Sequence, residues 1–286
     1  MTTPAPRLRT LLVLGRISNL PTVWSNCLAA WLLNGGGNWA AFMVLCVGAT
    51  LLYVGGMFLN DAFDADFDRE FRRERPIPSG QIAERDVWWI GGLLIFFGWQ
   101  LLFALGNTVA LLALALVTAI VLYDAVHKHI EGAPFLMAAC RFLLYVVAGA
   151  ATLHPVNESV FWHGLALAAY VVGLSFLARK EGGHGSVSAW PMLFLAAPLA
   201  ANVAVDPSRG VLSWLAVVAL LAWLGWCLRE FASRVKPNVG RTVAALLAGI
   251  VLVDCSALPQ LTMGLAATFL GLFLFALLLQ RTIPAT

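Results

Sequence analysis

Stretches of about 17–25 mainly apolar residues, the length that crosses a hydrocarbon core as a helix, recur from one end of this chain to the other. They fall near residues 17–33, 40–60, 87–105, 108–124, 134–153, 160–178, 189–205, 211–228, 240–256 and 260–280. The chain is therefore expected to be all-α: a polytopic membrane helical bundle of about nine transmembrane helices, the last two runs making a ninth or a ninth and a tenth. Composition agrees, because 60 % hydrophobic and 12 % charged residues lie far outside the range of soluble domains. No cleavable signal peptide is evident, since Pro4, Pro6, Arg7 and Arg9 lead into a segment that still holds Arg16 and Asn19. The five cysteines are isolated within apolar runs and read as small core residues.

Basic residues set the orientation. Alternate connections hold fifteen of the eighteen Lys and Arg residues, while the connections between them hold Arg209 alone. By the positive-inside rule the N-terminus and the polar segment after residue 60 face the cytoplasm. An inner or plasma membrane of a prokaryote is the expected location. The net charge of +3 then follows from topology and gives no reason to expect nucleic acid as a partner.

Residues 60–68, NDAFDADFD, place four acids directly after the run 40–59. If that helix carries on through Asp68, about 100° per residue puts Asn60, Asp64, Asp68 and Asp61 at roughly 0, 40, 80 and 100°, with Asp66 opposite. Three carboxylates and an amide on one face repel one another unless a cation sits between them, and all-oxygen ligands suit Mg²⁺ or Ca²⁺. A solvated acidic loop end is the plain alternative.

Four arginines follow, among them Arg72 and Arg75, and guanidinium suits phosphate oxygens. Arg75 opens the string RPIPSG, in which Pro76 and Pro78 stiffen the return and Ser79-Gly80 supplies a turn, so that it can serve as a lid. Lys128 ends the fourth run beside His127 and His129, level with the acids if the helices bundle. Arg16 and Asn19 open the first run, where a site role competes with simple snorkelling. Arg141 lies inside the fifth run and Asp254 inside the ninth. A buried charge of this kind faces the bundle interior, so the two either pair with each other or serve a site. The sixth run ends in Arg179, Lys180 and Glu181 before a glycine-rich stretch, a position that echoes residues 60–68 and hints at a weak repeat.

Taken together, NDxxDxxxD after the second run and RPIPSG shortly beyond it resemble the UbiA superfamily of intramembrane prenyltransferases, within it a divergent branch similar to the EboC-like proteins. The resemblance covers most of the chain and implies one integral-membrane domain over residues 1–286. It implies Mg²⁺, a polyprenyl diphosphate donor and a small, often aromatic acceptor, with membrane lipid around the bundle. Carried over, Asn60, Asp61, Asp64 and Asp68 hold the metal–diphosphate, with Asp64, Asp68, Lys128 and Arg75 catalytic. Arg72, Arg179, Lys180, Arg141 and Asn19 are further diphosphate contacts. The family's second aspartate motif is degenerate in the half 154–286, where only Glu181 offers a carboxylate ligand, so one metal or two remains open.

The chemistry fits the residues themselves. Breaking an allylic C–O bond leaves charge on diphosphate that cations stabilise. The allylic cation needs an electron-rich wall, for which Trp24, Tyr53, Trp88, Tyr123, Tyr145 and Tyr170 are candidates. Rival readings are a membrane transport or binding protein in which Arg141 and Asp254 line a path, and an enzyme that releases diphosphate without transfer.

Overall fold

Every apolar run of the sequence becomes helix in the computed structural model, which describes residues 8–152, 154–179, 190–206, 208–232 and 238–284. The helices are α1 (Leu8–Leu14), α2 (Leu20–Leu33), α3 (Trp39–Phe63), α4 (Ala65–Phe71), α5 (Glu84–Phe103), α6 (Asn107–Val126), α7 (Ala133–Ala150), α8 (Glu158–Ala178), α9 (Trp190–Phe194), α10 (Ala197–Ala204), α11 (Val211–Ala232), α12 (Val239–Ala257) and α13 (Met263–Leu279). A 3-10 turn, Ile17–Asn19, joins α1 to α2. No strand occurs among the described residues, so the protein is an all-helical membrane bundle.

Seven helices are long and apolar enough to cross a membrane, namely α3, α5, α6, α7, α8, α11 and α12. The expected nine spans are not reached by length among the described residues, because α2 has 14 residues and α13 has 17. The seventh run is split into α9 and α10. Pro198, in the first turn of α10, has no N–H for a carbonyl four residues back, so the helix restarts there.

Side-chain caps fix both ends of the bundle. At one end the Asn34 amide donates to the carbonyls of Gly149 and His154 at 3.1 Å and to Thr152 Oγ1 at 2.7 Å, tying the α2–α3 and α7–α8 connections together. The Arg209 guanidinium binds the Ser256 and Leu258 carbonyls on the α10–α11 and α12–α13 side. At the opposite end Arg179 donates to the Ile130 and Glu131 carbonyls, and Ser18 Oγ to that of Pro284.

Two features hold α3, which carries the acidic residues. Gly48 and Gly55 face Gly91 and Gly98 of α5, and a Cβ on Gly55 would stand 3.0 Å from the Gly91 carbonyl oxygen, one on Gly98 3.0 Å from that of Gly48. Small residues at this seam let the two backbones approach, the usual source of contact between helices in lipid. The RPIPSG loop is anchored as well. Ile77 and Ile82 bury themselves among Leu14, Phe58, Ala62, Ala65 and Val87. Gly80 turns the chain at φ 74°, a conformation glycine adopts without penalty.

Candidate active site

The backbone at Asp64 decides how the acidic stretch is presented. The helix expected to run unbroken through residue 68 ends at Phe63, and α4 restarts at Ala65. Its register survives the joint, because the Asp64 N–H donates to the Asn60 carbonyl at 3.0 Å and the Asp68 N–H to that of Asp64 at 2.9 Å. Asn60, Asp61 and Asp68 are accordingly buried and Asp64 half-buried, whereas the Asp66 side chain is 98 % exposed.

Cations from three other elements close on this face. Lys128, just past α6, places Nζ 3.0 Å from Asp64 Oδ2 and 3.9 Å from Asp68 Oδ1. It also sits 3.6 Å above the Phe67 ring. Arg75 reaches Asp61 at 3.7 Å, and His127 Nε2 stands 3.5 Å from Asp64. Arg16 donates to Asn60 Oδ1 at 3.0 Å and reaches Asp61 at 3.5 Å. Burial disfavours the charged form of Asp64, but hydrogen bonds and charge from His127 and Lys128 outweigh it and hold the carboxyl below its ordinary value. For Asp68 burial wins over Lys128 and Arg75, and its carboxyl titrates above the ordinary value.

The other expected residues lie apart. Arg72 is exposed beyond α4. Arg179 spends its guanidinium on the Ile130 and Glu131 carbonyls, where it fastens the connection that carries Lys128. Arg141 sits deeper, donating to Asn26 and Thr22 of α2. Asn19 is buried in the turn that carries Arg16, beside Tyr53. Lys180 and Glu181 lie outside the described residues.

Two members of the cluster carry no role in the sequence motifs. Asp124, buried at the last turn of α6, accepts from Asn60 Nδ2 at 3.1 Å and so turns the Asn60 oxygen toward Arg16. Its signal was an acid one helical turn before Lys128. Arg16 has φ 42°, the one non-glycine residue in the left-handed region among those described. This costly conformation is held by its neighbours, including the Tyr53 hydroxyl, which donates to the Arg16 carbonyl at 3.4 Å. Of the candidate wall aromatics, Tyr53 and Tyr123 adjoin the cluster, the latter stacked on His127. Tyr145 and Tyr170 are packed into the core, and Trp88 lies on the outer face of α5.

As the side chains stand, no three Asp, Glu, His or Cys groups among the described residues converge to enclose a metal. The donor chemistry nevertheless suits a hard divalent cation. Asn60, Asp61, Asp64 and Asp68 offer oxygens, and Asp68 Oδ1 is buried without a hydrogen bond. Lys128 Nζ stands 3.0 Å from Asp64 and 3.9 Å from Asp68 and offsets part of their charge.

The chain matches the model of the UbiA prenyltransferase family over residues 18–241. It is 33 % identical over 102 residues to a 4-hydroxybenzoate octaprenyltransferase of Photobacterium profundum, covering 35 % of this chain and 34 % of that protein. It is 36 % identical over 103 residues to that of Acidovorax ebreus, covering 33 % and 36 %. The chain thus aligns with about a third of the length of these curated relatives. Among solved structures, an apo UbiA homolog from Aeropyrum pernix K1 superposes with a TM-score of 0.63 at 17 % identity, covering 85 % of this chain and 97 % of that one. A digeranylgeranylglyceryl phosphate synthase gives 0.62 at 17 % identity, covering 93 % and 98 %. Identity that low speaks for the fold alone. The family match spans most of the chain, including the acidic face, the RPIPSG loop and Lys128, and this protein belongs to the UbiA prenyltransferase family.

Proposed function

We propose that this protein transfers a prenyl group from its diphosphate to a small acceptor, at the membrane face that carries the acidic cluster. The observation that carries this reading is the meeting of Asp61, Asp64 and Asp68 with Arg16, Arg75 and Lys128 on one helical face. Acids alone would suit any cation, and bases alone any anion; both together suit a metal-bound diphosphate. Asn60, Asp64 and Asp68 would hold Mg²⁺, which when bound neutralises diphosphate oxygens and improves the leaving group.

The chain's own groups do the rest. Lys128, Arg75 and Arg16 bind the diphosphate oxygens and stabilise the charge that grows as the allylic C–O bond breaks and its electron pair leaves with diphosphate. Tyr53 and Tyr123 face the developing allylic cation. The acceptor forms the new bond to that carbon and loses its proton to the departing diphosphate or to water. An aromatic acceptor is favoured by the names of the curated relatives, which are 4-hydroxybenzoate octaprenyltransferases. The basic-residue distribution favours a cytoplasmic site, and the bacterial relatives favour an inner membrane.

The test is incubation of purified protein with labelled prenyl diphosphates of several lengths and a phenolic acceptor, 4-hydroxybenzoate or 4-hydroxybenzyl alcohol, with and without Mg²⁺. Diphosphate release coupled to a prenylated product is expected, and its loss in Asp64→Ala and Asp68→Ala. Full activity in both variants, folded, would sink the reading.

A further inference from the structure

Beneath the acidic face lies a second polar cluster that the diphosphate chemistry does not use. Tyr53 precedes Asn60 by two helical turns, about 10 Å of rise. The Arg141 guanidinium carbon stands 5.9 Å from the Tyr53 ring. Arg141 donates from Nη1 to Asn26 Oδ1 at 2.7 Å and from Nη2 to Thr22 Oγ1 at 3.1 Å. Asn26 Nδ2 in turn donates to Asp254 Oδ2 at 2.7 Å, which also accepts from Ser25 Oγ at 2.5 Å.

Thr22, Ser25, Asn26 and Asp254 are fully buried, while Arg141 keeps part of its surface open. Asp254 Oδ1, equally buried, has no hydrogen-bond partner. Arg141 and Asp254 do not touch; one neutral amide relays between them. With guanidinium and carboxylate both ionised the cluster carries no net charge, with N–H capacity left on Arg141 and a carboxylate oxygen left on Asp254.

A ligand that completes such a network must match both groups without adding charge. A carboxylate would accept from Arg141 but leave an unbalanced negative charge inside the bundle, where desolvated charge is penalised. A hydroxyl group accepts from a guanidinium and donates to a carboxylate, and brings no charge. We propose that this cluster is the subsite for the acceptor and that it selects a neutral, hydroxylated molecule, a phenol or alcohol without an acidic group. Arg141 is then a specificity residue and not a diphosphate ligand. This inference rests on the prenyl-transfer reading, but it departs from the acid named in the curated relatives.

Binding without turnover tests it. Protein in nanodiscs is titrated calorimetrically at pH 7.5 with 4-hydroxybenzyl alcohol and with 4-hydroxybenzoate, which differ in charge on the same ring. The wild type is expected to bind the alcohol at least about tenfold more tightly, the scale set by burying an unpaired charge. Asp254→Asn leaves Arg141 uncompensated and should move the ratio toward the acid by about tenfold. Arg141→Gln should move it the other way. A wild type that prefers the acid, binds both equally or binds neither overturns the proposal, as does a ratio unmoved in folded Asp254→Asn. The wild-type ratio needs no variant, so a substitution that fails to fold does not shelter the idea. Diphosphate release from geranylgeranyl diphosphate is measured separately. Its absence would overturn prenyl transfer while leaving the binding ratio to stand or fall by itself.

Discussion

Two polar regions lie in this bundle, and they treat charge differently. At the membrane face, Asp61, Asp64, Asp68 and Asp124 gather with Arg16, Arg75 and Lys128, several of them in direct contact at 3.0–3.9 Å. In the interior, Arg141 and Asp254 are held apart by Asn26, and the surroundings are hydroxyls and an amide. The first region carries more acid than base and lies at the helix ends. The second is balanced and buried, where an unpaired charge is costly. The difference is what separates the two proposed roles: a multiply charged diphosphate with its cation would belong at the face, and a neutral polar acceptor inside.

The contrast breaks most easily at the acids. Asp64→Ala or Asp68→Ala should lower prenyl-diphosphate turnover by at least about 100-fold, the usual loss when a group that stabilises transition-state charge is removed. Diphosphate release, with detergent unfolding as the check on folding, reads this. Lys128→Ala comes next, with an expected loss of about 10–100-fold and recovery in Lys128→Arg, because charge and not shape is what the diphosphate senses there. Equal loss in both variants would give Lys128 a packing role.

In the interior, Asn26→Leu removes the relay and leaves buried polar groups of Arg141 and Asp254 unpaired. A loss of about 1–3 kcal/mol in stability is expected by chemical denaturation, with little effect on prenyl-diphosphate binding. Loss of that binding would merge the two regions into one. The smallest effect is expected at Arg72, exposed beyond α4. Arg72→Ala should change turnover by no more than about twofold, the range of surface sites away from such features. A tenfold loss would extend the diphosphate site past Arg75.

What could be read in advance follows from how local each pattern is. Residues 60–68 declare their shared face through helical spacing alone, and the joint at Asp64 alters the element boundary without altering the register. Lys128 was legible once alternating basic connections put it at the same membrane face as the acids. Arg16 stands out in the sequence as a charge at the head of the first run, but its pairing with Asn60 and the place of Asp124 do not, because Asn60 lies 44 and 64 residues away. Arg141 showed itself as a buried charge, but its partners Asn26 and Thr22 are neutral residues on a different helix and carry no signal in the chain. The break between α9 and α10 was hidden because the apolar run continues through it, and only Pro198 marks the place.

The claim on which all of this turns is that the acidic face binds prenyl diphosphate. Phosphorus NMR of geranylgeranyl diphosphate, titrated with the protein in nanodiscs in the presence of Mg²⁺, reads that contact directly. Broadened and shifted diphosphate resonances are expected with the wild type, and free-ligand resonances with Asp64→Asn/Asp68→Asn. The same shifts in wild type and folded double variant would contradict it and move the diphosphate site elsewhere in the bundle.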